Sequence, residues 1–236
     1  MDLKNAAVLV TGASCGIGFE TARLLRERGA RVAVCARHQG ELEAAAEQIG
    51  ALPIVADVSK EDDVLRMLTT VIKEYDDYNV LVNNAGFGSF APLVELSSDE
   101  FFRVWRTNVL GAMMVGRESA KHFIGRGSGN IVNISSTAGQ HGFANGTAYC
   151  ASKSALHAMT ECWRAELRPH NIRVMQVNPS EVLTSFGEGE SSKTPSKPDN
   201  PSKLHAQDIA QLIASMLEME DRGFVTESTI WATNPK

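Results

Sequence analysis

From Ala6 to Gly18 the chain reads AAVLVTGASCGIG, a continuous apolar run that leads directly into a turn with three glycines. A short apolar run without polar alternation is typical of a strand that is buried on both faces of a parallel sheet. The residues that follow, Phe19 to Arg28, have helical periodicity, and Gly29 ends the helix. Glycines between a strand and a helix let backbone N–H groups approach a pyrophosphate at the helix N-terminus. The stretch therefore predicts a strand–turn–helix unit that binds a dinucleotide.

The rest of the chain repeats the alternation of strand and helix. Further strands are predicted at 31–36, 53–56, 80–82, 130–134, 172–177 and 224–232. Helices are predicted near 41–49, 59–73, 98–123, 147–167 and 207–217. Such alternation is typical of a parallel sheet with helices on both faces. We therefore expect an α/β protein with a single domain over residues 1–236, built on a Rossmann-type, doubly wound, mostly parallel sheet of seven strands.

The composition limits the classes of partner. With 236 residues, of which 43% are apolar, the chain is long enough to bury a large core. The formal net charge of −5 provides no basic surface, so we expect no nucleic-acid partner. Neither a targeting segment nor a run of membrane-spanning length is found, so we expect a cytoplasmic protein without membrane association. The four cysteines lack metal-binding spacing, and no metal site is predicted.

Polar and turn residues directly follow most of the predicted strands. In open parallel sheets, ligands bind outside the carboxyl ends of the strands. The residues at these ends should therefore share one edge of the sheet, although they are far apart in sequence: Gly12, Asp57, Asn84, Ser136 and Pro179. We expect the ligand site at this edge.

The end of the second strand indicates which dinucleotide is bound. An acidic residue at this point holds the ribose 2′-hydroxyl of NAD, whereas an arginine suits the 2′-phosphate of NADP. Here Ala36 stands in the acidic position and Arg37 follows it, with His38 as a second candidate. We therefore predict NADP(H) as cofactor; the alternative is that Arg37 is a solvated loop residue. Asp57 either accepts a hydrogen bond from the adenine amino group or simply closes the third strand.

A second chemical motif is the segment AYCASK at residues 148–153. In a helix, Tyr149 and Lys153 stand one turn apart on the same face. An ammonium so close to a phenol lowers the pKa of the tyrosine toward working pH, which suits proton exchange with a carbonyl/alcohol pair. Taken alone, the motif is more often an ordinary surface pair, so the neighbouring motifs decide its meaning.

Together the motifs resemble those of the short-chain dehydrogenase/reductase family, and the likeness is strong over residues 5–184. It rests on Thr11-Gly12-x-x-x-Gly16-x-Gly18, Asn83-Asn84-Ala85-Gly86, Ser136, Tyr149-x-x-x-Lys153 and Asn178-Pro179, which occur in the family's order and spacing. Among the members, the chain looks nearest to the NADP-preferring 3-oxoacyl-carrier-protein reductases. The segment 224–228 departs from them because it lacks their Thr-Gly pair.

The resemblance implies four catalytic residues: Asn108, Ser136, Tyr149 and Lys153. Tyr149 would exchange the proton, and Ser136 would form a hydrogen bond to the substrate oxygen. Lys153 would bind the nicotinamide ribose and lower the pKa of Tyr149. Asn108 would support a water relay that feeds Lys153.

The resemblance also implies a cofactor-binding set around these residues. Val182 and Thr184 match the stretch that contacts the nicotinamide carboxamide. Cys15 replaces the basic residue of many NADP-preferring relatives, so the 2′-phosphate would rest mainly on Arg37 and Ser14. The full set is Gly12, Ser14, Gly16, Ile17, Gly18, Arg37, His38, Asp57, Val58, Asn84, Ala85, Gly86, Tyr149, Lys153, Pro179, Val182 and Thr184.

The expected function is that of an NADP(H)-dependent oxidoreductase, which transfers hydride between the nicotinamide and a carbonyl or alcohol. A 3-oxoacyl thioester and a small ketone are candidate small-molecule substrates. The alternative is a regulatory protein that senses NADP(H) on the same fold without catalysis. The sequence does not name the substrate, but five residues predict an apolar, partly aromatic pocket: Phe87, Phe90, His141, Phe143 and Phe186.

Two further expectations concern the surroundings of the site. Residues 185–203 follow a strand end and are rich in Ser, Lys, Pro, Gly and Glu. They are predicted to form a mobile substrate loop rather than a plain linker. The resemblance also implies that the helices at 98–123 and 147–167 pair between subunits, so a homo-oligomer, either a tetramer or a dimer, is expected.

Overall fold

Seven parallel strands form the central sheet of the protein. The computed structural model describes residues 1–184, 186, 200 and 202–234. Its strands are β1 (Ala7–Thr11), β2 (Arg31–Ala36), β3 (Leu52–Val55), β4 (Val80–Asn83), β5 (Gly129–Ile134), β6 (Ile172–Pro179), β7 (Val182–Leu183), β8 (Leu204–His205) and β9 (Glu227–Ile230). The main sheet has the order β3-β2-β1-β4-β5-β6-β9, and every neighbouring pair in it is parallel. The strand order reverses between β1 and β4, which is the switch point at which doubly wound sheets bind ligands.

Helices cover both faces of this sheet. Those in the described part of the chain are α1 (Gly16–Glu27), α2 (Gln39–Ile49), α3 (Glu61–Glu74), α4 (Ser98–Trp105), α5 (Ala112–Arg126), α6 (Thr147–Leu167) and α7 (Ala206–Glu218). Short 3-10 helices occupy Leu3–Asn5, Thr137–Gly139 and Arg168–His170. The predicted α/β, Rossmann-type architecture with one seven-stranded sheet is confirmed.

Each face of the sheet has its own apolar core, because successive strand residues point to opposite faces. On β1, Val8 and Val10 pack with α1, α2 and α7, whereas Leu9 faces α3 and α5. All residues of β1 are buried, which explains why its sequence shows no polar alternation.

Two helices differ from their predicted form. The helix at 98–123 is interrupted by a π-helical segment, Arg106–Gly111, which joins α4 to α5. One extra residue in a turn leaves the apolar pattern almost unchanged, so the sequence pattern does not show it. α1 begins at Gly16 rather than Phe19, because two glycines of the turn form its first helical residues.

Only the ends of the predicted substrate loop at 185–203 lie in the described part of the chain. β7 pairs with β8, and the Lys203 ammonium lies 2.5 Å from the Glu181 carboxylate. Residues 185, 187–199 and 201 lie outside the described residues, so the mobile loop stays a prediction.

The described part of the chain contains neither a candidate membrane span nor a candidate metal cluster. No helix there combines the length and the apolar character that a membrane crossing requires. The described residues also contain no group of three or more His, Cys, Asp and Glu side chains arranged to hold a metal ion.

Candidate active site

A cavity of about 750 Å³ opens at the carboxyl ends of the strands. Four of the five residues that were predicted to share one edge therefore meet at one concave surface, and the exception is Asp57. The predicted site residues that line it are Gly12, Ser14, Gly16, Ile17, Arg37, His38, Val58, Asn84, Ala85, Gly86, Ser136, Tyr149, Lys153, Pro179, Val182 and Thr184. Gly18, Asp57 and Asn108 are not part of the lining.

The glycine turn after β1 depends on close backbone approach. Gly12 has φ +66°, and a Cβ added to it would lie 2.8 Å from the Cα of Ala85. A Cβ added to Gly18 would lie only 2.3 Å from the carbonyl oxygen of Gly12. Gly18 therefore acts by leaving space beneath the turn, and no side chain at either position fits without moving the backbone.

Thr11 and Asn84 fasten this turn to β4. The Asn84 side-chain amide donates to the carbonyl oxygens of Thr11 and Gly12 at 2.9 Å and 3.0 Å. The Thr11 hydroxyl accepts from the backbone N–H groups of Asn84 and Ala85, both at 3.0 Å. The amide group of Asn84 thus holds the turn that was predicted to receive a dinucleotide. Thr11 takes part in the same hydrogen-bond network. In the sequence, its position directly before Gly12 is the sign of this role.

The end of β2 supplies the predicted 2′-phosphate site. Arg37 and His38 are exposed and line the cavity, and Ala36 provides no acidic group. Ser14 also lines the cavity, next to the exposed Cys15 that is the N-cap residue of α1. The placement fits a phosphate group, because arginine forks and helix N-termini both bind phosphate oxygens.

Asp57 is placed by a local turn instead. Its Oδ1 accepts from the backbone N–H of Ser59 at 3.0 Å and from the Ser59 hydroxyl at 2.7 Å. The carboxylate therefore closes the third strand, which favours the structural alternative over the adenine contact. The next residue, Val58, does line the cavity.

Tyr149, Lys153 and Ser136 come together at the other end of the cavity. Tyr149 and Lys153 lie one turn apart on α6, and both are buried, with 8% and 5% of their surface exposed. The Lys153 ammonium donates to the carbonyl oxygen of Ile134 at 2.7 Å and lies 5.9 Å from the centre of the Tyr149 ring. The Ser136 hydroxyl is hydrogen-bonded to the Tyr149 side chain. The pair is thus a buried site and not a surface pair.

The protonation of this group differs from the sequence prediction. Burial raises the pKa of Tyr149 to about 12, and the hydrogen bond from Ser136 opposes that rise only in part. Burial also lowers the pKa of Lys153 to about 8. The expected lowering of the Tyr149 pKa by Lys153 is therefore wrong for this structure, because the cost of burying a phenolate outweighs the opposing hydrogen bond with Ser136. At neutral pH, Tyr149 is a protonated donor beside a charged lysine.

Asn108 stands behind the cavity wall within the π-helical segment. Its side chain accepts from the backbone N–H of Phe87 at 3.0 Å and donates to the Phe87 carbonyl at 2.9 Å. It also donates to the hydroxyl of Ser152 at 3.0 Å. Asn108 therefore connects the loop after β4 to α6 next to Lys153. Ser152 was missed, because only the fold reveals its contact.

The predicted aromatic pocket lies in the same cavity. All five residues of that prediction line it: Phe87, Phe90, His141, Phe143 and Phe186. The lining also includes Arg103, Glu181 and Trp231, which sequence reasoning missed. No pattern in the sequence distinguishes these three from other surface residues.

Known proteins with similar sequences are dehydrogenases and reductases. Residues 6–195 match the family described as short chain dehydrogenase. An NADP-dependent 3-hydroxy acid dehydrogenase from Schizosaccharomyces pombe is 30% identical over 98% of this chain and 94% of its own. An L-xylulose reductase from Caenorhabditis elegans is 38% identical over 79% of this chain and 75% of its own.

A solved structure has the same architecture. It is that of an alcohol dehydrogenase from the archaeon Thermococcus sibiricus, complexed with 5-hydroxy-NADP. The two chains superpose with a TM-score of 0.86 and 28% identity, covering 96% of each.

Proposed function

The chain belongs to the short-chain dehydrogenase family, and on that premise we propose that it is an NADP(H)-dependent oxidoreductase of carbonyl and alcohol groups. The observation that carries this proposal is the meeting of Tyr149, Ser136 and Lys153 in the cavity that begins at the glycine turn. The cofactor of the relative from Schizosaccharomyces pombe, NADP, supports the choice of cofactor.

The chain's own residues fit a dinucleotide. The Gly12–Gly18 turn leaves room that a Cβ would fill, and the N-terminus of α1 points its N–H groups there. Arg37 and Ser14 would hold the 2′-phosphate, and Lys153 would bind the nicotinamide ribose. When bound, NADPH supplies hydride to the substrate carbonyl carbon.

The proton moves from Tyr149 to the substrate oxygen. The raised pKa of Tyr149 keeps its phenol protonated, so in the reducing direction Tyr149 can donate the proton. Ser136 bonds to Tyr149 and orients the same oxygen. Lys153 stabilises the phenolate that remains, because its charge then lies beside a developing negative charge. In the oxidising direction the same groups act in reverse.

A panel of carbonyl compounds tests the proposal, with cofactor oxidation followed by absorbance at about 340 nm. We expect turnover with NADPH and clearly slower turnover with NADH. The regulatory alternative requires that NADPH binds while no compound is reduced. Equal rates with the two cofactors would contradict the role of Arg37.

We also propose a homo-oligomer, a dimer or tetramer, formed through α4, α5 and α6. Phe102 on α4 and Leu110 in the π-helical segment are exposed, and burial against a second copy would remove them from water. Light scattering tests this proposal, and a monomeric mass would contradict it. The cytoplasmic location stays a prediction.

A further inference from the structure

Two phenylalanine rings adjoin Tyr149, and a third packs on one of them. The ring centres of Phe90 and Phe186 lie 5.7 Å and 5.4 Å from that of Tyr149. The Phe143 ring lies 6.0 Å from that of Phe90. All three rings line the cavity, and each remains between 42% and 52% exposed. Apolar faces are thus left open beside the residue that meets the substrate oxygen.

Two of the rings are held by the fold against glycines. A Cβ added to Gly88 would approach Phe90 to 2.6 Å, and one added to Gly146 would approach Phe143 to 2.7 Å. An edge of each ring therefore packs against backbone that carries no side chain. Such packing fixes their position, so the apolar wall is a built feature and not a chance exposure.

The charged residues at this end are already engaged. Arg103 forms two hydrogen bonds with Glu100 at 2.8 Å and stacks on the Phe87 ring at 4.3 Å. The Glu181 carboxylate pairs with Lys203. A substrate carboxylate would find Arg103 already paired with Glu100 and would lie near the negative charge of Glu181. A sugar chain would lose hydration against the phenylalanines without equivalent hydrogen bonds.

We propose that the preferred substrates are uncharged ketones or aldehydes whose carbonyl carries an aryl or cycloalkyl group. The ring of the substrate packs on Phe90, Phe143 and Phe186 while its carbonyl oxygen meets Tyr149. This inference rests on the proposed function and narrows its substrate class.

The test compares kcat/KM with NADPH for acetophenone, cyclohexyl methyl ketone, L-xylulose, acetoacetate and butane-2,3-dione. We expect the two ring ketones to exceed L-xylulose and acetoacetate by about tenfold or more. Phe90→Ala and Phe143→Ala should each lower the value for acetophenone about tenfold. The ringless diketone should change by less than about twofold, because it does not reach the wall. Leu65→Ala, which truncates an exposed apolar side chain on α3 outside the lining, is the control.

The outcomes separate this inference from the proposed function. Faster reduction of L-xylulose or acetoacetate than of the ring ketones overturns the substrate class while the oxidoreductase stands. Equal losses for acetophenone and the diketone in both variants also overturn it, because the rings would then act on Tyr149 itself. If no carbonyl is reduced, the proposed function fails and the substrate class fails with it.

An independent observation concerns Glu227 on β9, within the segment that departs from the family pattern. One of its carboxylate oxygens accepts from the side-chain amides of Gln140, at 2.9 Å, and Asn178, at 2.5 Å. The hydroxyl of Thr229 lies 3.3 Å from both amide nitrogens. Asn178 is fully buried, so its side-chain N–H groups cannot bond to water. The Glu227 carboxylate supplies the acceptor that they need.

Both partners of Glu227 adjoin Ser136. Gln140 ends the 3-10 helix Thr137–Gly139, whose first cap is Ser136. Asn178 precedes Pro179, and the carbonyl oxygen of Pro179 lies 3.4 Å from the Ser136 hydroxyl oxygen. Glu227 therefore joins the two backbone segments between which the Ser136 side chain is oriented.

The geometry points to Glu227 as a positioning residue for Ser136. Glu227→Ala should lower kcat about tenfold, since small displacements of a positioned group have large effects on rate, and leave the KM for NADPH unchanged. Glu227→Gln keeps an oxygen acceptor and should restore kcat to within about threefold of the original. Glu218→Ala removes a remote ion pair with Arg28 and serves as control.

Three results would overturn this role. These are an unchanged kcat in Glu227→Ala, a KM for NADPH that rises in proportion to the loss of kcat, or a glutamine variant no better than alanine. Thermal unfolding of each variant accompanies the kinetics. The comparison between glutamine and alanine holds even if alanine loosens the fold.

Discussion

The ammonium nitrogen of Lys153 lies 2.7 Å from the main-chain oxygen of Ile134 and donates a hydrogen bond to it. Ile134 is the last residue of β5, so the bond anchors the lysine at the edge of the sheet. An ammonium carries three donors, and this anchor leaves capacity for the ribose hydroxyls that the proposed function assigns to Lys153. The hydrogen bond to Ile134 fixes the position of the Lys153 ammonium, and burial lowers its pKa.

The pH dependence of reduction should report Lys153. Its pKa is lowered by burial to about 8, whereas that of Tyr149 is raised to about 12. Lys153 therefore loses its charge first as the pH rises. We expect kcat/KM for an uncharged ketone to fall through about pH 8, measured as a pH–rate profile at saturating NADPH. A profile that stays flat from about pH 7 to 10 would contradict the assignment.

The buried charge of Lys153 should also weaken the fold. Its pKa falls from 10.5 to about 8 on folding, so the unfolded chain binds more protons between these pH values. The free energy of unfolding should therefore rise with pH across this window. At pH 7 the burial costs about 3 kcal/mol, some of which Lys153→Met should recover.

Chemical denaturation of Lys153→Met tests that stability prediction. The variant should be at least as stable as the original at pH 7 and should lack activity. Lys73→Met removes an exposed charge and should shift the free energy of unfolding by no more than about 0.5 kcal/mol. A marked loss of stability in Lys153→Met alone would show that the anchor to Ile134 outweighs the burial of charge.

Arg37 should decide between the two cofactors. Arg37→Ala should raise the KM for NADPH about tenfold or more, because a charge-assisted hydrogen bond to phosphate is lost. The KM for NADH should change little, since NADH carries no 2′-phosphate. Steady-state kinetics with both cofactors make the measurement. A parallel rise for both would mean that Arg37 supports the loop and does not read the phosphate.

Gly18→Ala should damage the dinucleotide turn. The new Cβ would meet the Gly12 carbonyl oxygen at 2.3 Å, so the backbone must move. We expect a loss of about 1–3 kcal/mol in unfolding free energy and weaker NADPH binding by calorimetry. Gly125→Ala is the matched control, because a Cβ at that helical position meets nothing within 4 Å. Normal NADPH binding by Gly18→Ala would contradict the close-approach argument.

Alternation and strand ends were sufficient to predict the sheet and the edge that forms the cavity. The continuous burial of Val8, Leu9 and Val10 is visible in the sequence, because strands in such a sheet are apolar on both faces. The polar residues after each strand then meet because parallel strands end together.

Three features of the site could not be predicted from the sequence, because they depend on burial, on local helix geometry or on contacts between distant residues. The sequence shows that Lys153 follows Tyr149 by one turn but not that both are buried, so it predicted the wrong direction for the tyrosine pKa. The π-helical segment around Asn108 adds one residue to a turn and leaves no mark in composition. The contact of Glu227 with Gln140 joins residues that are far apart in sequence.

The kinetics of Tyr149→Phe test the central claim most directly. The variant keeps the ring among its neighbours and loses only the phenolic hydroxyl group, which carries the proton. We predict that kcat for a ketone falls by about a thousandfold or more, while the dissociation constant for NADPH stays within about threefold. A variant that retains more than about a tenth of the original kcat would contradict the role of Tyr149 as proton donor.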